Sequence, residues 1–162
     1  MTASRLLFLA CLLTFTFPAG RAAETYNGPR PPKPDVLYLV HADNLVVTEV
    51  VQAWEQTKKD DTIYTVEGAA SSVRTPLAEP IFLVQKNSIT PIKLFLYRFE
   101  VKDGKRVIEF SKKRRESSRR YRMVVTELAE NLYQLEINEP LENGQYGISP
   151  DGSSQVFCFD VY

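Results

Sequence analysis

Histidine and cysteine are scarce in this chain of 162 residues, which has one histidine, His41, and two cysteines, Cys11 and Cys158. A zinc site needs three or four nitrogen or sulfur ligands, so we expect no metal site of this kind. Serine and cysteine hydrolases need a histidine base, and only His41, with Asp43 on the same face of an extended strand, can supply one. The composition favours a protein that is not an enzyme. A hydrolase of envelope material centred on His41 and Asp43 is the alternative.

Glycine is also limited, with seven residues dispersed along the chain and no phosphate-binding cluster. Neither a G-x-S-x-G nucleophile elbow nor a D-x-[DN]-x-[DN]-G calcium loop occurs. We therefore expect no bound cofactor. A pair of carboxylates for glycoside cleavage stays open, because the distance between two acidic side chains is not readable from the sequence.

Only one long hydrophobic run is present, residues 6–17, and it lies at the amino terminus. It follows Arg5 and precedes Pro18, Gly20 and Ala22, which is typical of a signal peptide, whereas a membrane span needs about 20 apolar residues. We predict a signal peptide over residues 1–22, export to the periplasm or the extracellular space, and no transmembrane span in the mature chain. Cys11 is inside the apolar run, which disfavours a lipoprotein.

Removal of this leader leaves 18 basic and 20 acidic side chains, a net charge of −2, and a single cysteine. Cys158 then has no partner for an intrachain disulfide. Because Phe157 and Phe159 flank it, and because unpaired cysteine is among the most buried residue types, we expect Cys158 to be a small core residue of a strand.

Proline is concentrated in a lead-in, residues 23–34, where Pro29, Pro31, Pro32 and Pro34 account for four of the ten prolines. Proline restricts both its own φ and the preceding residue, so this segment should be extended, outside the core, and act as a spacer. The rest of the mature chain, residues 35–162, is predicted to form one domain.

Short β-rich runs with turn residues between them fill that domain. In residues 94–101, for example, Phe95, Tyr97, Phe99 and Val101 share one face, with Arg98 and Glu100 on the other. Residues 45–54 also fit a helical stripe, but their valines favour a strand. The predicted strands are 35–40, 45–54, 62–66, 81–85, 94–101, 106–110, 121–126, 132–137, 145–149 and 155–161. We expect an all-β, antiparallel sandwich of about eight to ten short strands, without a substantial helix.

Charge is segregated along the chain. Residues 102–122 contain ten basic and three acidic side chains, whereas residues 123–162 contain seven acidic side chains and no basic one. A basic hairpin, residues 111–122, either projects into solvent and binds an anionic envelope surface or acidic partner, or is neutralised by the acidic strands.

The first alternative predicts a non-enzymatic binding or interaction module whose arginines and lysines contact phosphate or carboxylate groups. Nucleic acid is not expected as a partner, because only Tyr121 supplies an aromatic platform nearby. A third possibility is a structural subunit that pairs by its edge strands. The predicted binding residues are Lys112, Lys113, Arg114, Arg115, Arg119 and Arg120.

Three segments carry a resemblance: residues 66–74 followed by 80–82, residues 94–106 with the Asp103-Gly104 turn, and residues 139–147 before the aromatic strand 157–159. They resemble an uncharacterised class of secreted bacterial β-sandwich domains, most specifically in a P-L-x-x-G-E-Y-x-L strand entry. Gln145 stands where the class has glutamate, and Gly147-Ile148 replaces its commoner small-then-apolar pair. The resemblance covers about half of the mature chain. It implies an immunoglobulin-like fold and transfers no function.

Overall fold

The computed structural model describes residues 26–111 and 118–162, which form strands, turns and one short 3-10 helix, Pro91–Lys93. No helix among these residues is long and apolar enough to cross a membrane. The strands are β1 Leu37–His41, β2 Asn44–Val47, β3 Glu49–Gln52, β4 Trp54–Lys58, β5 Asp61–Val66, β6 Arg74–Thr75, β7 Ile81–Gln85, β8 Leu94–Arg98, β9 Glu100–Lys102, β10 Lys105–Ser111, β11 Met123–Ala129, β12 Leu132–Ile137, β13 Gly144–Pro150 and β14 Gln155–Val161.

These strands form three sheets. The outer sheet has the order β11-β12-β7-β1-β2, the central sheet β3-β14-β13-β8 and the small sheet β4-β5-β10-β9. Neighbours within these orders are antiparallel, and the two-residue strand β6 adds a parallel pair with β14. The all-β, antiparallel class predicted from the sequence is therefore confirmed.

The central sheet is covered on both faces. Phe157 and Phe159 of β14 pack into the core shared with the outer sheet, whereas Val156 and Cys158 belong to a second core that includes side chains of the small sheet. Every residue of β14 after Gln155 is buried. A strand covered on both faces needs apolar side chains on both, which explains its continuous hydrophobic run.

The central and small sheets are joined at both edges by single residues. Ala53 connects β3 to β4, and Phe99 connects β8 to β9. At both residues the extended chain passes from the central sheet into the small sheet. The amide of Ala53 donates to the Ser154 carbonyl and that of Phe99 to the Gln145 carbonyl, both at 2.8 Å, so the backbone hydrogen bonding continues through the crossings. The two sheets thereby enclose a separate interior beside the main core.

Each of the ten predicted strands has a counterpart, but two are subdivided, and β6 and most of β4 were not predicted, so the described residues contain fourteen strands where about eight to ten were expected. Residues 45–54 are extended and not helical, and they bend at Thr48, whose amide and hydroxyl both donate to the Leu37 carbonyl, and again at Ala53. Residues 94–101 divide at Phe99 in the same way. The chain changes sheets at these points, which a strand pattern read along the sequence does not reveal.

The predicted turns are found where the backbone needs a left-handed conformation. Asp103 and Gly104 have φ values of 50° and 74° between β9 and β10, and Gly152 has 69° between β13 and β14.

In the lead-in, Pro31 is buried and Pro34 forms a parallel bridge with Gln85, so the end of this segment packs against the domain. The predicted signal peptide, residues 1–22, lies outside the described residues.

Candidate binding cavity

A cavity of about 330 Å³ opens at one end of the interior between the central and small sheets. It lies where β4 and β5 of the small sheet diverge from the β13–β14 turn of the central sheet. Strands β8 and β10 complete its walls. The lining residues are Ala53, Glu55, Thr62, Tyr64, Phe95, Tyr97, Phe99, Ile108, Phe110, Arg120, Gly147, Ser149, Pro150, Asp151, Gly152, Ser153 and Val156.

Four of the lining residues are apolar or aromatic and buried. Tyr97, Phe99, Ile108 and Val156 belong to the second core, and each is less than a tenth exposed. Gly147 makes this packing possible, because a Cβ atom at its position would lie 2.6 Å from both Phe99 Cε2 and Val156 Cγ1. A real side chain at residue 147 would push the phenylalanine ring away.

The walls are aromatic. The Phe110 ring meets the Tyr64 and Tyr97 rings edge to face, with centroids 5.8 and 5.3 Å apart. Phe95, Tyr97 and Phe99 reach the cavity because they occupy alternate positions along the chain, as the sequence pattern predicts. Such rings offer both faces and edges to a ligand.

Charged groups stand at the rim. The Arg120 guanidinium carbon lies 3.7 Å from the centre of the Phe95 ring, and Arg120 Nε donates to Tyr97 Oη at 3.0 Å. Asp151 Oδ1 is 3.9 Å from Arg120 Nη2. Burial, together with the charge and hydrogen bond of Glu55, raises the pKa of Tyr64 above its usual value, so this tyrosine stays a neutral donor.

The structure separates the predicted binding residues. Arg120 lines the aromatic cavity, whereas Arg119 stacks on the Tyr121 ring at 4.3 Å and contacts Glu139 Oε2 at 3.1 Å. Lys112, Lys113, Arg114 and Arg115 lie outside the described residues. The two adjacent arginines therefore belong to different clusters, each of which contains an acidic residue of the C-terminal half.

Arg106, one of the ten basic residues of the segment 102–122, is an interior residue, because only 1% of its side chain is exposed. Its guanidinium binds Glu49 through two hydrogen bonds of 2.7 and 2.9 Å and also donates to the Gly68 and Glu67 carbonyls. The signal that could have located it is alternation, since Arg106 shares its strand face with the buried Ile108.

His41 and Asp43 do not form a catalytic arrangement with other groups of the described chain. Both are exposed at the β1–β2 hairpin, neither lines the cavity, and no hydrogen bond between their side chains occurs in this part of the structure. Within residues 26–111 and 118–162, no three His, Cys, Asp or Glu side chains are grouped to hold a metal ion.

Cys158 is fully buried in β14, as predicted. Burial raises the pKa of its thiol to about 12, although the positive charge of Arg106 acts in the opposite direction. A thiol that is protonated and inaccessible is a poor nucleophile, so Cys158 is a packing residue.

Comparisons of this chain with protein-family models, with curated proteins and with solved structures find no match. A function therefore has to be inferred from the chemistry of the site itself.

Proposed function

We propose that this protein is an exported, non-enzymatic binding module that holds a small ring-containing ligand in the aromatic cavity. The observation that carries the proposal is that five aromatic side chains line one cavity together with aliphatic side chains and a few polar and charged groups. Ligand sites are typically concave and mostly apolar, with few polar groups, and have volumes of about 300 to 1,000 Å³. The cavity volume of about 330 Å³ suits a ligand of one or two rings.

Ring recognition follows from the arrangement of the walls. Phe110 already forms edge-to-face pairs with Tyr64 and Tyr97, which leaves ring surface directed at the cavity. An aromatic pair contributes about 0.5 to 1.5 kcal/mol beyond the burial of its apolar area. Two or three such contacts would distinguish a planar ring from an aliphatic chain of similar volume.

The polar side chains that line the cavity support ligand binding without a chemical reaction. The Ser149 hydroxyl lies within hydrogen-bonding distance of the carbonyls of Pro150, Ser153 and Gln155 and donates its one proton among them, with the shortest distance, 2.9 Å, to Gln155. The described residues that line the cavity include no histidine and no cysteine. A serine nucleophile needs an adjacent base, and His41 lies in a hairpin outside this lining.

The binding experiment uses benzyl alcohol, indole and cyclohexylmethanol as neutral probes, followed by amide chemical shifts in NMR titrations. We expect the two aromatic probes, benzyl alcohol and indole, to perturb residues of β8, β10 and the β13–β14 turn. Phe110→Ala should weaken binding about tenfold, which corresponds to about 1.4 kcal/mol. Tyr133→Ala, which removes a partly buried ring of the outer sheet, should leave binding unchanged. Absence of cavity shifts at millimolar probe, or equal shifts in Phe110→Ala, would overturn the proposal.

Export is proposed from the amino-terminal sequence. The apolar run after Arg5 and the small residues Gly20 and Ala22 support cleavage of a signal peptide. N-terminal sequencing of the protein recovered outside the cytoplasm should find Ala23 or Glu24 as the first residue. An intact Met1 in the cytosolic fraction would contradict export.

We also propose that the outer and central sheets together form an immunoglobulin-like sandwich. Their packing around one shared core supports this proposal. A role in nucleic-acid binding is not proposed, because the described aromatic residues near the basic stretch are engaged with the protein's own arginines, as in the contact of Arg119 with Tyr121.

A further inference from the structure

We propose that the ligand of the aromatic cavity carries a single negative charge, in the form of a carboxylate, and that Arg120 binds this group. This inference rests on the proposed function and adds the chemical class of the ligand. It follows from the way in which the guanidinium is held and from the acidic side chains that surround it.

Arg120 is fixed in place while most of its donors stay available. Stacking on Phe95 restrains the plane of the guanidinium, and the hydrogen bond from Nε to Tyr97 Oη restrains its rotation. Arginine has five N–H donors, and within the described residues only the one on Nε has a hydrogen-bond partner. The two terminal amino groups therefore present a planar fork that matches the two oxygens of a carboxylate.

This restraint favours binding because the Arg120 side chain loses less conformational entropy when the ligand binds. A mobile surface arginine loses side-chain entropy whenever it orders around an anion, whereas Arg120 is already ordered by its contacts with the wall. The ligand ring and the charged group would thus be bound by neighbouring parts of one wall, since Phe95 and Tyr97 belong to the same strand.

Two carboxylates at the rim limit the charge that the site accepts. Asp151 is the nearest to Arg120, but the two side chains are 56% and 58% exposed and separated by 3.9 Å, which makes a weak ion pair. Glu55 lines another wall of the cavity. One anionic group on the ligand can be neutralised by Arg120, whereas a doubly charged phosphate would also be repelled by these acidic neighbours.

The experiment compares probes that share a phenyl ring and differ in charge: phenylacetate, phenylacetamide, phenethylamine and phenyl phosphate, titrated at pH 8 by NMR. We expect phenylacetate to bind about tenfold more tightly than phenylacetamide, because a hydrogen bond to a charged group is stronger than a neutral one. Phenyl phosphate should bind less tightly than phenylacetate, and phenethylamine should be the weakest.

Variants test whether Arg120 causes the preference for phenylacetate over phenylacetamide. Arg120→Gln should bind phenylacetate and phenylacetamide equally, with phenylacetamide affinity close to that of the wild type, and Asp151→Asn should strengthen phenylacetate binding. Arg74→Gln is the matched control, because Arg74 also stacks on a ring, that of Tyr162, and pairs with an aspartate, Asp160, outside the cavity. Its probe affinities should be unchanged.

Each contrary outcome has a distinct meaning. Equal binding of phenylacetate and phenylacetamide by the wild type, or a preference for phenethylamine, would overturn the charge class and leave the ring-binding cavity intact. A preference for phenyl phosphate would overturn the restriction to one charge. Failure of every probe to bind would overturn the proposed function as well. Arg120→Lys keeps the charge without the fork, and full retention of the preference in this variant would contradict the two-oxygen contact.

Discussion

Replacement of Arg106 by methionine tests the buried ion pair that links β10 to the start of β3. The guanidinium, only 1% exposed, makes two hydrogen bonds to the Glu49 carboxylate. It makes two more to the carbonyl oxygens of Gly68 and Glu67. Methionine fills a similar volume but supplies no donor. The substitution therefore leaves a carboxylate and two carbonyls without these partners.

The expected loss in the free energy of unfolding is about 3 kcal/mol. Removal of one partner of a buried ion pair costs roughly 3 to 5 kcal/mol, because the remaining charge is uncompensated. The lower end of this range applies to Arg106→Met, since the Glu49 side chain keeps 21% of its surface exposed and can still be hydrated. For a chain of this size, about 3 kcal/mol lowers the melting temperature by roughly 6 to 12 °C.

Urea denaturation of the wild type, Arg106→Met, Glu49→Gln and the double variant measures this loss and the coupling between the two residues. The double variant should be more stable than Arg106→Met, because it contains no unpaired buried charge. A loss below 1 kcal/mol in Arg106→Met, or a double variant less stable than this single one, would refute the reasoning.

The pH dependence of Glu49→Gln provides a second readout. Burial by itself would raise the pKa of Glu49, but hydrogen bonds from Arg106 and Ser71 and the charge of Arg106 outweigh it and hold the pKa below its usual value near 4.5. A carboxyl whose pKa is lowered by folding stabilises the protein above the unfolded-state pKa, and this stabilisation is lost as the pH falls through the folded-state pKa. The difference between wild type and Glu49→Gln should be full at pH 7 and shrink below about pH 4.5.

Three further predictions concern single positions. Gly147→Ala should destabilise the protein by about 1 to 3 kcal/mol in urea denaturation, because its Cβ would lie 2.6 Å from the Phe99 ring; an unchanged midpoint would contradict the packing. Asp35→Asn should cost about 1 kcal/mol at pH 7, because the carboxylate accepts hydrogen bonds of 2.8 to 3.0 Å from the backbone amides of residues 87–89. Burial alone would raise the pKa of Asp35, but these bonds lower it below 3.8, so the cost should shrink as the pH falls below that value. Cys158 should not react with an aromatic disulfide reagent at pH 8 until urea unfolds the chain, since its pKa is about 12 and it is fully buried; rapid labelling of the folded protein would count against this burial.

Local patterns predict the strands well in this protein. The bounds of β7, β12 and β14 agree with those expected from the sequence, because each is a short apolar or alternating run between turn residues. The Asp103-Gly104 turn is equally local, since it depends on two residues that tolerate positive φ. Information within about ten residues is sufficient for these features.

The cavity is predictable only in part. Alternation places Phe95, Tyr97 and Phe99 on one face, but it does not reveal that Phe110 and Arg120 meet them there. Phe110 reaches them because β8 crosses at Phe99 into β9, which pairs with β10, whereas Arg120 reaches them because the next residue, Tyr121, forms a bridge with Leu96 of β8.

The amino-acid sequence by itself determined that this is an antiparallel all-β protein with hairpin turns at defined places and a buried, unpaired Cys158, because strand periodicity, turn chemistry and residue polarity act over short distances. The tertiary structure alone decided that β14 is covered by a different sheet on each face, that Arg106 pairs with Glu49 and that Arg120 stands at the rim of an aromatic cavity. These features arise from pairings such as that of β3 with β14, which are remote in sequence and become neighbours only when the sheets assemble.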